Sequence, residues 1–299
     1  MNLVDLSSRS LGQLGEVGPF SFGMWRFTDA DLRRRIHLVE SALDAGLNLI
    51  DTADVYGLDW NGTGFGTVET ALGEVLQQRP ELRERMVLAT KGGIVPPTPY
   101  DSSPSVIRAA CEASLRRLQV DTIDLYQIHR PDMFVHPEDL AATLTSLREE
   151  GKIREVGVSN HTISQTIALQ SFLPFLLLTT QPQYSALDLT PLRDGTFDHC
   201  MTTGLTPMAW SPLAGGRLAT GEDVRQELLA PLDDLAQREA TDRAGVALAF
   251  VLSHPARPIA IVGTQNPVRL THVHTSANIN LDRNDVYAIV QASEGTPLP

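Results

Sequence analysis

Four side chains in this sequence have the types and spacing for acid–base chemistry on a carbonyl group: Asp51, Tyr56, Lys91 and His129. Asp51 closes the apolar run LNLID, Lys91 closes MVLATK, His129 follows IDLYQI, and Tyr56 stands shortly after Asp51. A phenol with an ordinary pKa of ~10 is a poor acid near neutrality. An ammonium beside it favours the phenolate, lowers that pKa and makes a competent proton donor to a carbonyl oxygen. Of 24 basic residues only Lys91 and Lys152 are lysines, so a compact, tunable ammonium at a strand end is a departure from the chain's habit. Taken alone, Lys91 and Asp51 fit equally a structural ion pair and a catalytic one. Tyr56 separates the two readings, because Asp51 would then hold Lys91 charged beside the phenol. His129 could donate a hydrogen bond to the same carbonyl oxygen, or be a satisfied core histidine.

These residues need elements that bring them to one place. Short apolar runs at 20–25, 47–52, 86–91, 123–128, 153–158, 176–182, 206–210 and 259–263 read as strands, mostly without strict alternation, as parallel strands covered by helices do. Amphipathic segments fill the gaps. In 104–118, Ile107, Cys111, Leu115 and Leu118 share one face, Ser103 is placed to cap and Pro104 suits the first helical position. Leu140, Leu144 and Leu147 stripe the segment 138–149, and Gly151 suits its left-handed end. Eight strand–helix units in a chain of this length predict a closed (β/α)8 TIM barrel. It has an N-terminal capping hairpin within 1–19 and extra C-terminal helices within 221–255 and 282–293, and forms one domain over 1–299. In such a barrel the strand ends form the active mouth, and they carry Trp25, Asp51, Lys91, His129, Ser159, Asn160, Gln181, Trp210, Gly263 and Thr264.

The composition narrows the partners. The 299 residues carry a net charge of −12, spread along the chain, which argues against a nucleic-acid footprint. Two cysteines make no disulfide framework. The longest apolar stretch, Phe172 to Leu178, is far short of the ~20 residues of a membrane span. No signal peptide is visible. A cytoplasmic protein acting on a small molecule is expected. The run Gly62, Gly64, Gly66 lacks the spacing and strand exit of a dinucleotide fingerprint and reads as a flexible loop.

The motifs resemble those of the aldo-keto reductase family, closest to its bacterial members with short loops. GLNLIDTADVY (Gly46–Tyr56) with Glu69-x-x-Leu72-Gly73 is similar to the aspartate–tyrosine signature, VLATKG (Val87–Gly92) to the lysine motif and DLYQIHR (Asp124–Arg130) to the histidine motif; GKIREVGVSN (Gly151–Asn160) and WSPLAGG (Trp210–Gly216) match two further blocks. The resemblance implies hydride transfer between NADPH, or NADH, and an aldehyde or ketone, in either direction. It assigns Tyr56 as general acid, Lys91 and Asp51 as its tuning pair and His129 as the carbonyl's positioner. It also places Ser159, Asn160 and Gln181 on the nicotinamide carboxamide, with Trp210 stacked on the ring. Ser211, Leu213, Gly215, Gly216 and Arg217 match the pyrophosphate segment; Gly263, Thr264, Gln265 and Arg269 match the segment at the adenosine 2′-phosphate. Here the chain departs from many members, with Gly263 in place of a lysine and His272–Val273 in place of a Glu–Asn pair.

The substrate wall is expected to comprise Trp25, Tyr56, Trp60, Met133 and Phe134, with the loop 57–66 either closing over substrate or simply solvated. No metal is expected: His272-x-His274 has ligand-like spacing but falls in the helix after the last strand, away from carboxylates. The alternative function is a nucleotide-binding, redox-sensing or regulatory subunit with little turnover. The complete set of four favours an enzyme, since a binding module needs no proton donor.

Overall fold

In the computed structural model, which describes residues 1–298, the eight apolar runs form parallel strands closed into a barrel. A hairpin of β1 (Arg9–Ser10) and β2 (Glu16–Val17) comes first. The barrel strands are β3 (Phe20–Gly23), β4 (Leu49–Asp51), β5 (Val87–Gly92), β6 (Ile123–Ile128), β7 (Ile153–Ser159), β8 (Thr179–Gln181), β9 (Thr206–Ala209) and β10 (Ile259–Val262), with β10 pairing both β9 and β3.

Helices α1 (Leu32–Asp44), α2 (Thr67–Gln78), α3 (Pro104–Leu118), α4 (Pro137–Glu149) and α5 (Ile163–Gln170) follow the first five barrel strands. The short α6 (Thr190–Arg193) and α7 (Thr196–Thr203) follow β8; α8 (Arg217–Thr220), α9 (Gln226–Arg238) and α10 (Arg243–Leu252) lie between β9 and β10. The chain then forms α11 (Pro267–Ala277) and α12 (Arg283–Glu294). No helix among the described residues is long and apolar enough to cross a membrane.

Alternation along the strands sorts side chains between two cores. Phe20, Phe22, Ile50, Leu88, Val156 and Val158 face the helices. Leu49, Val87, Ala89, Leu125, Met208, Ile259 and Ile261 fill the barrel, and Leu11 and Val17 from the hairpin join that cluster, so the hairpin plugs the barrel's N-terminal end. Continuing the same inward positions towards the strand ends replaces aliphatic side chains by Asp51, Lys91, Gln127, Ser159 and Gln181, with Lys91 in register with Gln127 and Ser159 with Gln181. Gly157 belongs to this inward set because a Cβ there would come within 2.1 Å of Thr179 Oγ1.

Helix ends follow local chemistry with one correction. Thr162 and Gln165 form a reciprocal capping box on α5, and Asp31 accepts from Arg33 N at the start of α1. Ser103 does occupy the N-cap of α3, but its side chain caps nothing; its own N–H donates to Asp101 Oδ1 at 2.9 Å, so the aspartate orders the turn instead. Gly151 adopts φ +74 just beyond α4, as its left-handed role requires.

Candidate active site

Asp51 and Lys91 point into the barrel from neighbouring strands and meet as a buried pair, Lys91 Nζ donating to Asp51 Oδ2 at 2.7 Å and to the Thr52 carbonyl at 2.8 Å. The other carboxylate oxygen accepts from Gln181 Nε2 at 3.0 Å and Gln127 Nε2 at 3.2 Å. Burial alone would depress the Lys91 ammonium, but Asp51 and Tyr56 hold it above its ordinary value, so it stays charged. Gln127 was not singled out from sequence. It carries a signal that finds it, since it stands two residues after inward-facing Leu125 on β6 and two before His129.

Tyr56 reaches the same ammonium from the turn after β4, where its N–H donates to the Ala53 carbonyl and its carbonyl accepts from Val68 N at the head of α2. Lys91 Nζ lies 3.3 Å from the phenolic oxygen and 5.0 Å from the ring centroid. Burial pushes the phenol up, and Lys91 opposes that shift without reversing it, so the net direction is above the ordinary value rather than below it as the pairing alone suggests. His129 packs edge-on against Tyr56 with ring centroids 5.8 Å apart. Burial, then Lys91 and Arg130, hold its pKa well below the usual imidazole range, so the ring is neutral, and Nδ1 is buried without a partner.

Behind this set lies a second polar cluster that the sequence did not disclose. Glu69, fully buried in α2, accepts from Thr90 Oγ1 at 2.5 Å and from Arg117 Nε at 2.7 Å. The Asp54 carboxyl is buried nearby without a partner; burial, reinforced by Glu69, raises its pKa well above the usual carboxylate range. The cluster ties α2 and α3 to β5 beside the turn that carries Tyr56.

The residues matched to cofactor-binding positions line the neighbouring part of the mouth. Asn160 Nδ2 donates to Ser159 Oγ at 2.8 Å, and Asn160 Oδ1 accepts from Trp210 Nε1 at 2.9 Å. From Ser211 to Gly216 the backbone repeatedly turns left-handed, at Ser211, Ala214, Gly215 and Gly216. The N–H groups of Ala214, Gly215 and Gly216 bond within the turn, to Ser211 and Leu213, and an added Cβ at either glycine would meet nothing within 4 Å, so the turn presents an open, side-chain-free surface to the mouth. Leu213 packs half-buried against the outer core and Arg217 is exposed. Gly263, Thr264 and Gln265 follow β10; Arg269 is exposed in the first turn of α11, where a helix N-terminus favours phosphate. These residues fit a phosphorylated dinucleotide.

The substrate wall is only partly as expected. Trp25 and Trp60 pack with ring centroids 4.9 Å apart and planes tilted by 44°, with the Arg26 guanidinium 4.8 Å from the Trp60 ring and donating to the Gly215 carbonyl at 3.0 Å. Met133 and Phe134 are 73% and 94% exposed and form no wall here. The reason is local: the Asp132 carboxylate accepts from Ser102 N and Phe134 N, which fixes a turn that carries both side chains outward.

Residues 19–294 match the model of the aldo/keto reductase family. The chain is 46% identical over 298 residues to the 6-dehydroglucose reductase of Novosphingobium aromaticivorans, covering 97% of each chain, and 32% identical to the enzyme of that name from Agrobacterium fabrum, covering 94% and 95%. Its fold superposes with a TM-score of 0.78 on an aldo/keto reductase from Klebsiella pneumoniae solved with NADP and acetate, at 24% identity over 98% and 96% of the chains. The chain belongs to the aldo/keto reductase family of oxidoreductases.

Proposed function

We propose that this chain is an NADPH-dependent reductase of a sugar aldehyde, with Tyr56 as the proton donor. The observation that carries the reading is Lys91, which bonds Asp51 at 2.7 Å on one side and faces the Tyr56 hydroxyl at 3.3 Å on the other. The substrate class is supported by the two relatives named 6-dehydroglucose reductase and by the Trp25–Trp60 pair, since aromatic faces suit the apolar faces of sugars. NADPH, when bound, supplies the hydride.

The chain's own residues do the rest. Trp210 would offer a face to the nicotinamide, Ser159, Asn160 and Gln181 would orient its carboxamide, the turn Ser211–Gly216 and Arg217 would hold the pyrophosphate, and Arg269 with Thr264 and Gln265 would take the 2′-phosphate. By holding the ring in one orientation, Trp210 would determine which side of the carbonyl receives the hydride. Neutral His129 donates a hydrogen bond to the carbonyl oxygen, and Tyr56 delivers its proton to that oxygen as negative charge develops there. The phenolate left behind is stabilised by the Lys91 ammonium, which Asp51 keeps in place. The raised resting pKa of Tyr56 suits a donor that must stay protonated across the physiological range.

The test is oxidation of NADPH followed at 340 nm with a panel of aldehydes and ketones that includes 6-dehydroglucose. Turnover with sugar aldehydes preferred over ketones is expected. NADPH binding without turnover on any member of the panel would overturn the reading in favour of a binding subunit.

A further inference from the structure

An arginine whose guanidinium makes no ion pair and no side-chain hydrogen bond has its N–H donors free for a ligand. Arg130 directly follows His129, and its guanidinium lies 6.0 Å from the centroid of the Trp210 ring. Among the described residues it forms no ion pair and no side-chain hydrogen bond. The nearest acid in sequence, Asp132, is committed to the backbone N–H groups of Ser102 and Phe134. The donors of Arg130 are therefore left for something that enters the mouth. The phosphate-binding features lie elsewhere, on the Ser211–Arg217 turn and at the head of α11. On the proposed reading, the carbonyl carbon has to lie between the Tyr56 phenol and the ring resting on Trp210. Arg130, next in sequence to His129, borders that gap on its Trp210 side.

We propose that Arg130 is a specificity-determining residue, which donates hydrogen bonds to the hydroxyl or ring oxygens borne on the carbons next to the reacting aldehyde. The proposal rests on the reductase reading above. The planar fork of a guanidinium suits paired oxygens, and its positive charge makes each bond stronger than one from a neutral donor. An apolar aldehyde would leave those donors unpaired, which is how a polar site rejects a substrate lacking the matching group.

The experiment compares wild type, Arg130→Lys and Arg130→Met on D-glyceraldehyde and on propanal, its counterpart without hydroxyls. Met keeps the aliphatic stem, and because the guanidinium balances no carboxylate, its loss strands no buried charge. In Arg130→Met the ratio of kcat/KM for glyceraldehyde to that for propanal is expected to fall about tenfold or more, mainly through KM, the size of one charge-assisted hydrogen bond. Arg130→Lys should lose less. The NADPH Kd, read by fluorescence titration, should stay within about threefold of wild type in both variants. An unchanged ratio overturns the assignment, as does an NADPH Kd weakened about tenfold with equal losses on both aldehydes, which would make Arg130 a cofactor ligand. Wild type that oxidises NADPH with neither aldehyde overturns the reductase reading, and the assignment with it.

Discussion

Replacing Lys91 by Met separates the structural and chemical work of one ammonium. Lys91 is fully buried and, among the described residues, is the only partner of Asp51 Oδ2; the glutamine amides both go to the other oxygen. Its loss leaves a buried carboxylate half-satisfied, which costs about 3–5 kcal/mol of stability. Urea unfolding followed by far-UV circular dichroism at pH 7 reads that loss as a lower midpoint with an unchanged slope. The double variant Lys91→Met, Asp51→Asn removes both charges, so most of the lost stability should return. Activity should not return with it. The cation 3.3 Å from the Tyr56 hydroxyl is still missing, and the phenol is pushed up by burial with nothing to oppose it. We expect kcat to stay about 100-fold or more below wild type in both variants, the scale of a general-acid contribution. A double variant that recovers turnover together with stability would refute the account of Lys91 as more than a structural partner of Asp51.

Three further outcomes are expected. Burial holds His129 well below the usual imidazole range, and holds His161 and His254 at about 4, so the unfolded chain binds more protons than the folded one once pH falls below about 6.5; stability should therefore drop between pH 6.5 and 5 by up to about 1.4 kcal/mol per pH unit for each histidine, and replacing His254 by Gln should flatten the slope of urea stability against pH. Arg269→Ala should weaken NADPH about tenfold while leaving NADH within twofold, measured as Kd by fluorescence; equal losses would place the 2′-phosphate elsewhere. Trp60→Ala removes the ring packing on Trp25 at 4.9 Å and the Arg26 contact, and kcat/KM for the preferred aldehyde should fall about fivefold, the worth of one aromatic pair; an unchanged value would show that the loop 57–66 does not cover substrate.

The parts of this molecule that were legible in its sequence are those set by local pattern. All eight barrel strands coincide with the apolar runs to within three residues at either end, because a parallel strand covered by helices must be apolar on both faces. Asp51, Lys91 and Gln181 converge because strand ends in a closed barrel face one mouth. What stayed hidden depends on contacts between distant segments. Glu69 and Arg117 are 48 residues apart, and nothing local says that the buried Glu69 will pair with a half-buried Arg117. Ser103 sits where a cap belongs, yet Asp101 satisfies the turn first. Met133 and Phe134 are expected from sequence to line the cleft, but the Asp132 turn, formed with a distant Ser102, decides their direction. The sign of the Tyr56 shift was also out of reach, since it is a balance between burial and a neighbouring ammonium.

The most direct measurement is hydride transfer in a single turnover of Tyr56→Phe, with the NADPH Kd determined on the same sample. This substitution deletes one hydroxyl and keeps the ring packed against His129 and Lys91. The account predicts a rate about 100-fold or more below wild type with NADPH bound as tightly as before. Hydride transfer at the wild-type rate would contradict it.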